Sequence, residues 1–139
     1  MPHFIMEYSA NLDDKLEIPL LFEKLAEAAV ATGVFPLAGI RCRAHRCEDY
    51  RVADGNPDFG FVHLHVKLGT GRTEQEKEGA AKAVFDTLSA YLQPLYDQSG
   101  LAISFEMTEL PVSLKYNQNN LRDYIASPAN KTEKDHAKC

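Results

Sequence analysis

No run of apolar residues in this 139-residue chain is long enough to cross a bilayer. A secretory leader is not expected either. Acidic Glu7, Asp13 and Asp14 arrive early, and no long apolar core follows them. Basic residues are in deficit: 15 Lys and Arg against 20 Asp and Glu give a net charge of −5. That balance argues against a nucleic-acid surface while leaving room for a local basic pocket. Cysteine is scarce. Cys42, Cys47 and Cys139 are odd in number and lack framework spacing, which fits reduced thiols in a cytoplasm. No CxxC pair or zinc-ligand spacing is present. Gly69-Thr70-Gly71 lacks the Lys-Ser/Thr ending of a P-loop, so nucleotide binding is not expected. No Ser-His-Asp or Cys-His constellation can be read. What remains is 45% hydrophobic and 25% charged, the usage of a single globular domain with a real core.

The periodicities give the elements. Pro2 to Tyr8 is rich in aromatic and branched residues and reads as a strand. Glu17 to Thr32 reads as a helix. Ile18, Leu21, Leu25, Ala28 and Ala29 form its stripe, Pro19 sits in its first turn, and Gly33 is its stop. Leu37 to Cys47 reads as a second strand, with Ala38, Ile40, Cys42 and Ala44 facing one way and Leu37, Arg41, Arg43 and His45 the other. Asp54-Gly55-Asn56-Pro57 is a turn. Phe59 to Leu68 is a third strand; Val62, Leu64, Val66 and Leu68 alternate with Phe61, His63, His65 and Lys67. Thr73 with Glu76 predicts a capping box opening a helix that runs to about Tyr96. Its expected stripe is Ala81, Val84, Leu88, Tyr91 and Leu95, with Pro94 kinking or ending it. Leu101 to Met107 is a fourth strand, and Lys115 to Ile125 reads as a short return strand and a final helical turn.

The order strand-helix-strand thus occurs twice. Two tandem βαβ units imply an α+β fold: a four-stranded sheet with both helices on one face. The other face would carry Arg, His and Lys among aromatics, a composition suited to association between subunits.

The chain start carries the most suggestive chemistry. Met is normally removed before a small residue, which leaves Pro2 with a secondary amine on a rigid ring. Burial and nearby cations would lower its pKa toward the working range of a proton carrier.

Pro2-His3-Phe4-Ile5 with Glu7-Tyr8-Ser9 resembles the start of the 5-carboxymethyl-2-hydroxymuconate isomerase family, within the tautomerase superfamily. Further blocks carry the same resemblance. They are Ala31 to Arg41, Ala53-Asp54-Gly55 leading to Phe61-Val62-His63, Gly69-Thr70-Gly71-Arg72, Leu101 to Glu106, and Asn117-Gln118-Asn119-Asn120. The likeness runs from Pro2 to about Ile125. The expected organisation is therefore one domain over residues 1–126 and a flexible tail over 127–139, whose polar residues cannot offset the entropy of ordering.

The resemblance implies a homotrimer whose sheets line the centre, with the end of the domain reaching a neighbouring subunit. It implies a cofactor-free isomerase acting on a small carboxylated dienol, 5-carboxymethyl-2-hydroxymuconate, in homoprotocatechuate and 4-hydroxyphenylacetate catabolism. Pro2 would be the acid/base. Arg41 and Arg72 would bind the substrate, since guanidinium forks match carboxylates. Read without the resemblance, both arginines are ordinary solvated cations. Arg43, Arg46 and Arg51 are weaker candidates, suited to a solvated face or an inter-subunit ion pair. His63 and His65 share a strand face and fit an interface better than a metal site. Glu7 and Tyr116 could orient a substrate but have no assigned place. Two rivals stay open: another tautomerase-superfamily activity, such as a general keto-enol tautomerase or decarboxylase, and a trimeric binding protein without turnover.

Overall fold

The structure is a computed structural model and describes residues 1–125. The tail expected over 127–139 lies outside the described residues. The elements are β1 (His3–Ser9), α1 (Ile18–Ala31), β2 (Arg41–Cys47), β3 (Gly60–Leu68), α2 (Glu74–Tyr96), β4 (Leu101–Glu109) and a short α3 (Leu121–Ile125). They form one four-stranded sheet of order β2-β1-β3-β4. β1 and β2 are parallel, β3 and β4 are parallel, and β1 meets β3 antiparallel. Each βαβ unit thus supplies one parallel pair, and the two units join through their first strands.

Strand alternation decides which face is buried. Phe4, Met6 and Tyr8 of β1 and Val62, Leu64, Val66 and Leu68 of β3 point to one side and are buried there. Leu21, Leu25 and Ala29 of α1 and Ala80, Val84, Leu88 and Leu92 of α2 cover them. Truncating such a leucine to alanine costs about 2–5 kcal/mol. The edge strands contribute half-buried Cys42, Ala44, Ile103 and Phe105 to the same layer.

Local signals behave as the sequence predicts at several points. Thr73 accepts a hydrogen bond from the Glu76 amide, and the Glu76 carboxylate accepts one from the Thr73 amide, closing the capping box. Gly33 stops α1 at φ +77°, where a side chain is strained. Ser9, fully buried, accepts from the Phe61 amide and donates to Asn11, whose amide holds the Phe59 carbonyl. This clamp ties the turn after β1 to the start of β3.

Three expectations need correction. The second strand does not begin at Leu37: Leu37–Gly39 is a 3-10 turn closed by the Gly39 amide on Pro36 O, and β2 begins at Arg41. The buried stripe of α2 runs through Ala80 and Leu92 rather than Ala81, Tyr91 and Leu95, because steps of four follow the contact with the sheet more closely. The end of α2 at Tyr96, with Pro94 inside the last turn, is as expected. Finally, no return strand forms over residues 115–120. The stretch is irregular and exposed up to α3.

Candidate active site

Antiparallel pairing of β1 and β3 brings four chain segments to one end of the sheet. The starts of β1 and β2 lie beside the ends of β3 and β4, and His3 stands in register with both Arg41 and Lys67. Pro2, just ahead of β1, is fully buried, and its carbonyl accepts from the Arg41 amide at 3.2 Å. A cleft of about 610 Å³ opens here, lined by Met1, His3, Arg41, Leu110, Lys115, Tyr116, Asn117 and Gln118. A larger concavity, about 770 Å³, lies between α1 and α2 around Lys24, Glu27, Asp86 and Tyr91. It holds neither the chain start nor any of the three residues expected to act, whereas the cleft is lined by Met1 and Arg41.

The two expected arginines both reach this end. Arg41 donates from Nη1 to Gly39 O at 3.2 Å and points the same nitrogen at Met1 Sδ, 3.6 Å away. Arg72 is braced by its own loops. Nε and Nη2 donate to Val34 O at 3.3 and 3.0 Å, and Nη1 donates to Gly69 O at 3.1 Å. Those bonds engage three of its five N–H groups and leave two for a ligand. The bracing explains why the block from Ala31 to Arg41 and the Gly69-Thr70-Gly71-Arg72 loop occur in one site: the first supplies the acceptor for the second.

Met1 occupies the space next to Pro2. Its sulfur, a weak acceptor, has Arg41 Nη1 (3.6 Å) and Asn119 Nδ2 (3.8 Å) directed at it. Its α-amine is held below the usual range by burial first, then by the charges of Arg72, Lys115 and Arg41. A methyl placed on buried Gly69 would lie 3.6 Å from Lys115 Nζ, 3.8 Å from Arg72 Nη1 and 3.8 Å from the Met1 nitrogen. Three nitrogens therefore surround one small hollow.

His3 is fixed in its tautomer. The Arg43 guanidinium can only donate, so the 3.2 Å contact makes His3 Nδ1 the acceptor and puts the ring proton on Nε2. Burial lowers its pKa, and Arg43 and Arg41 add to the effect. The other candidates fall away from the cleft. Arg46 pairs with Asp13 and Glu48. Arg51 donates to Asp54 O. His63 and His65 engage Ser104, Glu106 and Thr108 across the open sheet face. Among the described residues no cluster of three or more His, Cys, Asp or Glu could hold a metal ion. Glu7 sits opposite His45 and His63 on the open face, while Tyr116 lines the cleft. Burial pushes the Cys42 thiol up to about 11, which leaves it protonated and a poor nucleophile.

Sequence reasoning missed Lys115 and the special placement of Asn119. Asn119 donates to Ala38 O at 2.9 Å and accepts from the Leu121 amide, pinning the last loop to the turn before β2. The Asn117-Gln118-Asn119-Asn120 block was the available signal.

Residues 2–125 match the family model for 5-carboxymethyl-2-hydroxymuconate isomerase. The chain belongs to that family. A 5-carboxymethyl-2-hydroxymuconate Delta-isomerase from Escherichia coli is 40% identical over 121 residues, covering 87% of this chain and 96% of the relative. The crystal structure of a 5-carboxymethyl-2-hydroxymuconate isomerase from Deinococcus radiodurans R1 is 34% identical, with a TM-score of 0.83 over 91% of this chain and 95% of that one. A fused 4-OT described as a symmetric trimer is 17% identical, with a TM-score of 0.56 over 85% and 94% of the two chains, a likeness of fold alone. Among the described residues, no helix of this isomerase-family chain is long and apolar enough to cross a membrane.

Proposed function

We propose that the chain isomerises 5-carboxymethyl-2-hydroxymuconate to its 2-oxo form, with the amine of Pro2, exposed by loss of Met1, as the proton carrier. The neutral amine takes the proton of the 2-hydroxyl. The oxygen pair becomes the carbonyl, the double bonds shift along the chain, and carbon recovers the proton from the resulting ammonium. The amine ends as it began, so the cycle balances without a further reactant. Arg41 and Arg72 hold carboxylates and stabilise the dienolate as charge builds on it.

The observation that carries this reading is the setting of the chain start: a buried pyrrolidine ring with cations grouped beside it and no carboxylate among the residues lining the cleft. In water the ammonium would dominate at neutral pH; burial and positive neighbours favour the free base. Mass spectrometry of the intact protein should show Met1 absent. Ketonisation followed by ultraviolet absorbance should fall at least a hundredfold in Pro2→Ala, and Arg41→Ala and Arg72→Ala should raise KM. A chain that retains Met1, or a Pro2→Ala variant with unchanged kcat, would defeat the proposal.

The same reading includes assembly as a homotrimer through the bare sheet face. β2 and β4 are both unpaired along their outer edges among the described residues. Beyond the sheet, in the irregular stretch after β4, Val112, Leu114 and Tyr116 are 82%, 88% and 96% exposed in the single chain, which favours burial of that stretch against a second copy.

A further inference from the structure

We infer that Lys115 is a third substrate cation: it takes the carboxymethyl carboxylate and so sets the preference for a tricarboxylate over a dicarboxylate. The inference rests on the isomerase reading above and names a residue that the reading does not use.

A muconate is a diacid, and a carboxymethyl substituent adds a third carboxylate. Arg41 and Arg72 account for two. Among residues lining the cleft, Lys115 is the other obligate cation. Its Nζ shares the hollow at Gly69 with Arg72 Nη1 and the chain start. Lys115 Nζ and Arg72 Nη1 both lie within 4 Å of one point there, close enough together to serve one carboxylate.

Lys115 is also uncommitted. Lys77 is paired with Glu74 and Glu109, and Lys82 with Asp86. Lys115 has no carboxylate within ion-pair distance among the described residues. The backbone just before it is unusual: Leu114 adopts φ +61° although it is not glycine and its side chain is 88% exposed. Left-handed backbone at a branched, exposed residue gains nothing from packing in this chain, and such positions collect at ligand clamps. Here the bend precedes the residue whose ammonium reaches the hollow.

The residue type suits the group it would hold. Arginine forks match carboxylates fixed on a planar diene. A carboxymethyl arm swings about single bonds, and a point charge on a flexible stem can follow it.

The test compares two substrates in each protein: 5-carboxymethyl-2-hydroxymuconate and 2-hydroxymuconate, which lacks the arm. The readout is the ratio of their kcat/KM values. Any shared effect, through the amine or the folded fraction, cancels in that ratio. Lys115→Ala should lower the ratio about tenfold, chiefly through KM for the tricarboxylate, and Lys115→Arg should restore most of it. A ratio within twofold of wild type in Lys115→Ala overturns the inference, whether both activities stay or both fall. Wild-type protein inactive on both substrates would instead overturn the isomerase reading itself.

Discussion

Gly39 lies against the Pro2 ring: a methyl built on its α-carbon would sit 3.1 Å from Pro2 Cδ. That is tighter than ordinary van der Waals contact, so the ring or the turn must give by a few tenths of an ångström. Gly39 belongs to the 3-10 turn that delivers Arg41, and Arg41 itself donates to the Gly39 carbonyl. One glycine thus spaces the proposed base from a proposed anion holder.

Gly39→Ala should therefore shift the amine rather than unfold the chain. We expect kcat to fall roughly tenfold, since small misplacements are costly in pre-organised sites. The loss in urea unfolding should stay near 1 kcal/mol, of the order for mild overpacking. Equal kcat in both proteins would show that the ring tolerates displacement.

The acid limb of kcat/KM should report the amine. The Met1 α-amine at this spot is held low by burial first and then by the charge of Arg72, and the Pro2 amine that replaces it would face the same Arg72 charge. Removing that charge raises the pKa, so the ammonium form persists to higher pH. The acid limb of Arg72→Met should accordingly lie at higher pH than wild type. A limb that stays in place would mean another group controls it.

His3 should couple fold stability to pH. Its folded pKa is lowered, so below the ordinary imidazole value, about 6.5, the unfolded chain binds a proton that the folded chain resists. Stability then rises with pH across the window between the lowered and ordinary values, and is lost as pH falls through it. Arg43, Arg41, Lys67 and the chain-terminal amine all oppose the imidazolium. His3→Asn should flatten this part of the stability profile in chemical denaturation between about pH 5 and 7. An unchanged slope would assign the dependence to other groups.

The sheet was legible because its pattern is local. Alternation in β3 separates Val62, Leu64, Val66 and Leu68 from His63, His65 and Lys67 without tertiary knowledge, and the capping box marks the start of α2 within four residues. The turn at Leu37–Gly39 was not legible: Pro36 suits a strand entrance as well as a 3-10 turn, and only contact with Pro2 distinguishes them. Pro2, Arg41 and Arg72 were readable through family likeness, and the structure brings all three to one end of the sheet. Lys115 was invisible because its relevance comes from a bend at Leu114 and from proximity to Gly69, 46 positions earlier in the sequence. Neither leaves a periodic trace.

The antiparallel union of β1 and β3 has an asymmetric result. The fold possesses two equivalent corners, one at the head of each βαβ unit, facing opposite ways. Only the first corner carries the proposed amine of Pro2. At the second, Gly60 enters as an ordinary peptide whose N–H is spent on Gly100 O. Such a nitrogen has no lone pair to lend. On the proposed mechanism each polypeptide therefore holds one proton-carrying amine of this kind, however closely its halves mirror each other.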